Sequence, residues 1–315
     1  MPTIQDHISL DALTEGTLST LKAIGVDDIA IMHPTPPEPG EDQSPLWRDV
    51  RRTVEAHGMR FFNIGLRPHP SITLGRDGRD EHIERWCALI RSLGAAGVPS
   101  LTYNFRGIGN FRTESAVGRG GARYSTFDFA EFQANPQLHP DQQISEGDLR
   151  ANLRHFMERI TPVAEECEVR LMMHPDDPPR HDPLGGAARV LSSLDDFEHL
   201  FELVPSKANA MLFCQGCVAE MGEDIPAAIR RMAGFGKIGT VHFRNIRGGP
   251  ARFEEVFLDE GDADMYAMMR VYAEVGYDGP FMLDHTPGLQ DASAAWAGRA
   301  YAIGFIRATM QAAYR

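Results

Sequence analysis

Four side chains that can bind a transition metal stand where short apolar runs of the sequence end. They are His174, Cys214, His242 and Asp284. Each closes or directly follows a run typical of a buried strand, and the carboxyl ends of parallel strands open onto one face of a barrel. Two imidazoles, a thiolate and a carboxylate suit a divalent transition ion. Each residue taken singly fits a hydrogen-bonded structural role equally well, but the position that all four share predicts a metal site.

The apolar runs alternate with longer amphipathic stretches. The predicted strands are Ile29 to Met32, Met59 to Ile64, Ser100 to Tyr103, Val169 to Met173, Asn209 to Phe213, Ile238 to Phe243 and Phe281 to Asp284. The predicted helices include Leu46 to His57, Glu81 to Ala96 (followed by Gly97), Asp148 to Cys167 and Asp262 to Val275. Strands separated by helices form parallel βαβ units. With Ile8 to Leu10 as a weak eighth strand, we expect a (β/α)8 TIM barrel forming one catalytic domain over residues 1–315; a doubly wound open sheet is the alternative.

An arginine- and glycine-rich segment from Arg106 to Glu146 interrupts this alternation of strands and helices, and it follows the end of a predicted strand. Such a long irregular connection in a compact domain is usually functional or disordered. Arg106, Arg112 and Arg123 lie in it, and guanidinium groups bind carboxylates with two parallel hydrogen bonds. We therefore expect these arginines to bind an acidic substrate, or, alternatively, to pair with local acids on a solvated loop. Two further residues, Arg244 and Asn245, lie just beyond His242 and are also candidates for substrate binding.

Cys214 and Cys217 form a C-x-x-C motif, which competes with the metal-ligand interpretation. The alternatives are a thioredoxin-like dithiol or half of a structural zinc site. A zinc site of that kind needs a second cysteine pair, whereas Cys87 and Cys167 stand singly in predicted helices. A redox dithiol normally opens a helix, and the glycine between the two cysteines predicts a loop instead.

Two further candidates for acid–base chemistry accompany the predicted ligands. Asp177 lies in a proline-bounded turn directly after His174, where it could orient an imidazole or contact a hydroxyl. His285 directly follows Asp284, and an imidazole exchanges protons near neutral pH. The alternatives are a rigid turn at Asp177 and a structural hydrogen bond at His285.

Composition excludes several classes of function. The formal net charge of −13 argues against nucleic-acid or membrane-surface binding, which need a cationic surface. Four cysteines in 315 residues are not a secreted disulfide framework, and no signal peptide or membrane-spanning stretch is visible, so a cytoplasmic protein is expected. There is no complete G-x-G-x-x-G motif after a strand, no Walker loop and no H-E-x-x-H.

At this level of detail the sequence resembles the mannonate dehydratase family, from about Met59 to Asp284. The matching segments include Tyr103-Asn104-Phe105, His174 through Arg180 (H-P-D-D-P-P-R), Phe213-Cys214-Gln215-Gly216, His242-Phe243-Arg244-Asn245, Phe253 through Met265 and Asp284-His285. There are departures: Cys217 stands where the family carries serine, and Tyr301 is displaced by about one residue from the family's C-terminal tyrosine.

The resemblance implies a xylose isomerase-like (β/α)8 barrel that dehydrates D-mannonate to 2-keto-3-deoxy-D-gluconate with Mn²⁺ or Fe²⁺. It implies His174, Cys214, His242 and Asp284 as the metal ligands. We also expect Asn104, in the Tyr103-Asn104-Phe105 segment, to contact the substrate, and the protein to form a homo-oligomer, a dimer.

Dehydrating a sugar acid requires stabilising the charge that builds on its carboxylate, which a divalent ion and arginines can do. We expect His285 to transfer a proton, with Tyr301 or Asp177 as its partner. The first rival is a sugar isomerase or epimerase of the same kind of barrel, whose metal sites commonly use carboxylates and histidine without cysteine. The second is a non-catalytic sugar-acid binding protein.

Overall fold

The computed structural model describes residues 1–291 and 295–315. The strands in chain order are β1 (Thr3–Ile8), β2 (Asp28–Met32), β3 (Arg60–Leu66), β4 (Ser100–Tyr103), β5 (Ala116–Val117), β6 (Arg123–Asp128), β7 (Arg170–Met173), β8 (Asn209–Cys214), β9 (Ile238–His242), β10 (Ile246–Gly248), β11 (Arg252–Glu255) and β12 (Pro280–Met282). The helices are α1 (Glu15–Ile24), α2 (Ser44–Ala56), α3 (Pro70–Thr73), α4 (Arg79–Ala96), α5 (Phe129–Ala134), α6 (Glu146–Glu166), α7 (Leu194–Leu203), α8 (Gln215–Glu220), α9 (Ile225–Gly234), α10 (Met265–Glu274) and α11 (Ala295–Ala313).

Eight parallel strands close into a barrel in the order β1-β12-β9-β8-β7-β4-β3-β2. The first strand closes it: Thr3 pairs with Pro280 on one side, and Gln5 pairs with Asp28 on the other. The predicted TIM barrel is therefore confirmed, and the open doubly wound sheet is excluded.

The eighth strand was predicted at the wrong residues. It runs over Thr3–Ile8 rather than Ile8 to Leu10. Its centre carries Gln5 and Asp6, which are polar and yet fully buried inside the protein. Sequence patterns assign burial to apolar residues, so a strand with a polar centre gives only a weak signal.

Helices α4 and α6 show why the predicted helices form. α4 ends at Ala96, and Gly97 adopts a left-handed conformation (φ 73°) that a residue without Cβ reaches at little cost, as expected for a helix end. α6 begins at Glu146 and is capped by Ser145, whose hydroxyl accepts a hydrogen bond from the amide of Asp148. The two helices pack through Trp86 and Phe156, whose ring centroids lie 5.1 Å apart in a T-shaped arrangement.

The irregular segment from Arg106 to Glu146 forms part of a second, antiparallel sheet with the order β10-β11-β6-β5. In this sheet β11 pairs with β6, so that Phe253 lies opposite Phe127 and Glu255 lies opposite Ser125. Phe127 and Phe253 belong to a separate small hydrophobic core together with Phe111 and other buried residues. The segment is thus ordered by long-range pairing, which local sequence periodicity does not reveal.

No helix in the described part of the chain is both long enough and apolar enough to cross a membrane.

Asp6 makes folding stability depend on pH. Burial raises the pKa of Asp6 to about 6, against the opposing effects of Arg299 (3.1 Å) and the His7 amide. A carboxyl group whose pKa is higher in the folded state stabilises the fold fully below its unfolded-state pKa, and that stabilisation is lost as pH rises through about 6. The difference between a pKa of about 6 in the folded protein and the ordinary value of 3.8 corresponds to roughly 3 kcal/mol.

We therefore expect Asp6→Asn to gain stability relative to the wild type as pH rises from 4 to 7, by up to roughly 3 kcal/mol. Denaturant unfolding of both proteins at pH 4, 5, 6 and 7 measures this difference. A difference in unfolding free energy that stays constant across that range would show that the buried carboxyl does not titrate there.

Candidate active site

A cavity of about 230 Å³ opens at the carboxyl ends of the barrel strands. Each of the eight strands, or the residue directly after it, supplies part of its wall: His7, Met32, Asn63, Thr102, His174, Leu212, His242 and Met282. This is the end of the barrel at which TIM-barrel enzymes build their active sites.

The structure brings the four predicted metal ligands together. Ligand atoms of Cys214, His242 and Asp284 all lie within 4.8 Å of one another, and His174 forms a second such group with Cys214 and Cys217. The ring centroids of His174 and His242 are 5.3 Å apart, and Nδ1 of His242 is 3.3 Å from Oδ1 of Asp284. The sulfur of Cys214, common to both groups, is fully buried.

The hydrogen bonding of the two imidazoles fits a metal ion. Nδ1 of His174 donates to the carbonyl oxygen of Pro175 at 2.7 Å, which leaves Nε2 free as a ligand and fixes the ring. Nδ1 of His242 is buried and makes no well-aligned hydrogen bond to the described residues, although Oδ1 of Asp284 lies 3.3 Å away. A buried nitrogen without a partner is costly unless it binds something, and a metal ion would satisfy it. Of the two roles expected for Asp177, that of orienting an imidazole is taken at His174 by the Pro175 carbonyl, and contact with a substrate hydroxyl stays a prediction.

The charges of this group also fit a cation. Burial alone would raise the pKa of Cys214, but a hydrogen bond from Cys217 and the charge of Arg244 hold that pKa well below its usual range. Burial alone would lower the pKa of His174, but the Cys214 thiolate and the charge of Asp284 raise it. A thiolate and a carboxylate thus meet in a buried place where a divalent ion would balance their charge.

Cys214 is followed by a helix and not by the predicted loop. Helix α8 begins at Gln215, directly after Cys214. Gly216 does not end the helix; it makes room for Arg244, since an added Cβ would overlap the Nε atom of that side chain. The argument from a loop against a redox dithiol was therefore wrong. What favours the metal interpretation is the surroundings of the thiolate, which lies beside two imidazoles and a carboxylate.

Arg244 lies at the centre of a buried network of acids. Its side chain is 3% exposed and contacts Glu220 at 2.7 Å, Asp284 at 3.0 Å, and Asp177 and Glu255 at 3.3 Å each. It also donates to the sulfur of Cys217 at 3.2 Å. Buried charges need such pairing to offset the loss of water. Arg244 therefore serves first to hold Asp284 and its neighbours in place.

The other predicted arginines near the cavity differ in whether a carboxylate of the protein pairs with them. Arg112 contacts Asp177 at 2.7 Å and also pairs with Glu255, so its charge is compensated within the protein. Arg106 lines the cavity, and among the described residues its one hydrogen bond is a long one, 3.5 Å, to the backbone oxygen of Asp177. Burial lowers the pKa of Arg106 to about 10, which still leaves it charged at neutral pH. Arg106 is thus the predicted arginine best placed to bind a substrate anion.

Several other predicted site residues do not reach the cavity. Asn245 is buried, and its amide donates to the backbone oxygens of Leu258 and Ala263, so it stabilises a loop. Arg123 is exposed on β6, beside the loop that follows His285. Tyr301 lies on α11 with 38% exposure, packed against Phe257 and under Arg119.

Asn104 and Asp177 line the cavity as expected. Burial alone would raise the pKa of Asp177, but Arg112 and Arg244 hold it well below its usual range. Asp177 therefore stays ionised and accepts hydrogen bonds, and it is not a proton donor.

His285 lines the cavity and is held by an acid that the sequence analysis missed. Its Nε2 lies 3.0 Å from Oε2 of Glu255 and 3.6 Å from Oδ2 of Asp284. Burial would lower the pKa of His285, but Asp284 and Glu255 raise it to about 9. Glu255 comes from β11 of the second sheet, so no barrel strand end marked it, although it lies within the family-matching segment Phe253 through Met265.

The backbone turns sharply at Asp284. Its φ of 67° lies in the left-handed region, which aspartate tolerates better than most residues. Neighbouring side chains of an extended strand point in opposite directions, whereas Asp284 and His285 both line the cavity. The turn therefore lets two consecutive residues serve the same site.

Cys214→Ser should lower the affinity for Mn²⁺ at least 100-fold, since it replaces a buried thiolate by a neutral hydroxyl. Cys217→Ser is the matched control: it keeps a donor beside Cys214, so affinity should fall less than about 10-fold. Equilibrium dialysis with elemental analysis measures both. Equal affinities for the wild type and Cys214→Ser would remove the sulfur from the ligand set.

A sequence model of the family D-mannonate dehydratase (UxuA) matches residues 129–315, more than half of the chain. Mannonate dehydratase from Enterococcus faecalis is 30% identical over 282 residues, which cover 78% of this chain and 78% of that protein. Mannonate dehydratase 2 from Halalkalibacterium halodurans is 29% identical over 265 residues, 75% of this chain and 76% of that protein.

Solved structures agree. The crystal structure of mannonate dehydratase from Streptococcus suis serotype 2 superposes with a TM-score of 0.87 at 25% identity, covering 99% of this chain and 93% of that one. A xylose isomerase domain protein from Planctomyces limnophilus (TM-score 0.61, 14% identity, 99% of this chain and 98% of that one) shares the barrel fold. With a barrel of this kind, a matching family model and relatives at this identity, the chain belongs to the mannonate dehydratase family of hydro-lyases.

Proposed function

We propose that this chain dehydrates D-mannonate, or a closely related sugar acid, to 2-keto-3-deoxy-D-gluconate and water, with residues 1–315 acting as one catalytic domain. The observation that carries the proposal is one cavity that combines a sulfur, imidazole and carboxylate donor set with an unpaired arginine. Family membership supports the same reaction. The expected homodimer and cytoplasmic location remain predictions.

The reaction removes a proton from C2 and hydroxide from C3, which together leave as water, and the resulting enol tautomerises to the 2-keto group. His174, Cys214, His242 and Asp284 are the residues that would hold Mn²⁺ or Fe²⁺, since this mixture of soft and hard donors suits a first-row transition ion. When bound, such an ion acts as a Lewis acid that withdraws electron density from the substrate carboxylate, which makes the C2 proton easier to remove.

Arg106 is the residue that we assign to the substrate carboxylate. Its guanidinium group faces the cavity, whereas Arg112 and Arg244 are already bound to carboxylates of the protein. A guanidinium held in place before the reaction stabilises the charge that develops on the carboxylate oxygens. Asp177, ionised and lining the same cavity, accepts a hydrogen bond from a substrate hydroxyl.

His285 is the residue that we assign to proton transfer to the departing hydroxyl. Its Nε2 is occupied by Glu255, which orients the ring and favours its protonated form, so Nδ1 is the nitrogen left for the substrate. The Glu255–His285 pair thereby resembles other catalytic histidines whose second nitrogen is bound to a carboxylate.

The direct test is incubation of the Mn²⁺-supplemented protein with D-mannonate and analysis of the product. The proposal expects a 2-keto-3-deoxy acid formed at a rate that falls to background in the presence of a chelator. A ketose or an epimer as product would instead assign the chain to the isomerases and epimerases. Tight binding of D-mannonate without turnover would make it a binding protein.

His285→Ala should lower kcat by roughly 10²- to 10⁴-fold, the usual contribution of general acid–base catalysis. The metal content of the variant, measured alongside, should match that of the wild type, since His285 lies outside the ligand set. A loss of only a few-fold would remove His285 from the mechanism.

Arg106→Met should lower kcat/KM for D-mannonate by about 10- to 150-fold, the worth of a charge-assisted hydrogen bond of about 1.5–3 kcal/mol. Arg270→Met is a matched control, because Arg270 is exposed on α10, away from the cavity. Steady-state kinetics of both variants measure the effect. If both variants lose the same amount, Arg106 is not the carboxylate-binding residue.

A further inference from the structure

Arg67 is a cation at the cavity rim that the reaction described above does not use. It directly follows β3, lines the cavity and is exposed. Within residues 1–291 and 295–315 it makes no hydrogen bond and no ion pair. Other arginines around the site, such as Arg112 and Arg244, are bound to carboxylates of the protein. Within the described part of the chain, no protein carboxylate thus occupies the guanidinium group of Arg67, which faces the cavity and solvent.

Arg106 adds positive charge near Arg67, the neutral imidazole of His33 can donate a hydrogen bond, and among the described residues no carboxylate pairs with Arg67. His33 directly follows β2 and also lines the cavity, and burial together with the charge of Arg67 lowers its pKa. Arg106 lies close enough for the charge of Arg67 to act on it as well. The two carboxylates in the cavity wall, Asp177 and Asp284, both contact Arg244. Arg67 and Arg106 thus stand in this part of the wall without a paired carboxylate among the described residues, and an anion from solution would neutralise them.

The barrel order places this wall opposite the metal-binding residues. His174, Cys214, His242 and Asp284 come from the ends of four adjacent strands, β7, β8, β9 and β12. His33 and Arg67 come from β2 and β3 on the other side of the barrel, and Arg106 follows β4 between the two groups. A sugar acid with its carboxylate at the metal and Arg106 would therefore direct its far end toward Arg67.

We propose that Arg67, assisted by His33, forms a distal subsite that binds a second anionic group at the end of the substrate opposite the reacting carboxylate. The inference rests on the proposed dehydration and extends its substrate class from D-mannonate to dianionic sugar acids, either a six-carbon diacid or a hexonic acid phosphorylated at its terminal hydroxyl. The reaction is otherwise the same: hydrogen leaves C2, hydroxide leaves C3, and the distal group is unchanged. D-Mannonate, whose far end is a neutral hydroxymethyl group, cannot use this interaction.

The test compares kcat/KM for D-mannonate, a hexaric acid and a 6-phosphohexonic acid. For the wild type we expect the preferred dianion to exceed D-mannonate by at least about 10-fold, and the two dianions to show whether the distal group is a carboxylate or a phosphate. Arg67→Met should lower the ratio of dianion to D-mannonate by about 10- to 150-fold, and Arg67→Lys should restore part of it. Arg270→Met should leave the ratio unchanged. An unchanged ratio in Arg67→Met would overturn the distal subsite.

Calorimetric titration of the same ligands separates this inference from the proposed function. The subsite predicts that a dianion binds the wild type more tightly than D-mannonate and that Arg67→Met removes the difference, whether or not turnover occurs. Equal binding of all three ligands to the wild type would contradict the subsite. Absence of turnover for every sugar acid, with the binding preference intact, would contradict the dehydratase activity alone.

Discussion

The site depends on one buried guanidinium. Arg244 is almost wholly removed from solvent and lies within 3.3 Å of carboxylate oxygens of Asp177, Glu220, Glu255 and Asp284. So many acids so close together would repel one another strongly in a medium of low polarity. Arg244, with Arg112 beside it, makes their burial possible, and the acids in turn fix Asp284 as a ligand and Glu255 as the partner of His285.

Two layers of structure supply this network. The barrel provides the ligands, because its strand ends converge on one face. The second sheet provides Glu255 from β11, and the segment that builds this sheet provides Arg112, held beside Ser125 of β6 at 2.8 Å. Since both are paired with groups of the barrel, the sheet is tied to the cavity by charge as well as by its own small core. The cavity is therefore asymmetric: one half carries a thiolate and a carboxylate whose charge a divalent ion would balance, and the other half carries Arg67 and Arg106.

The sequence predicted the parts of the site that follow from local pattern. His174, Cys214, His242 and Asp284 were found because each ends an apolar run, and the same rule applied to His33 would have found it directly after Ile29 to Met32. Arg67 lies three residues past the predicted strand Met59 to Ile64, so the same rule points to it less strongly. The partners of the arginines were not predictable, since Arg112 and Arg106 look alike in sequence and differ only in which carboxylates the fold brings to them. Glu255 was missed because its position depends on long-range antiparallel pairing, and β1 was misplaced because its centre is polar.

The proposed chemistry requires one cation that is bound by residues from four adjacent strands. Anomalous diffraction from crystals of the protein saturated with Mn²⁺, recorded on both sides of the manganese absorption edge, locates that ion directly. The account predicts one strong peak within bonding distance of His174, Cys214, His242 and Asp284. A peak at another place in the chain, or an empty cavity at saturating Mn²⁺, would contradict it.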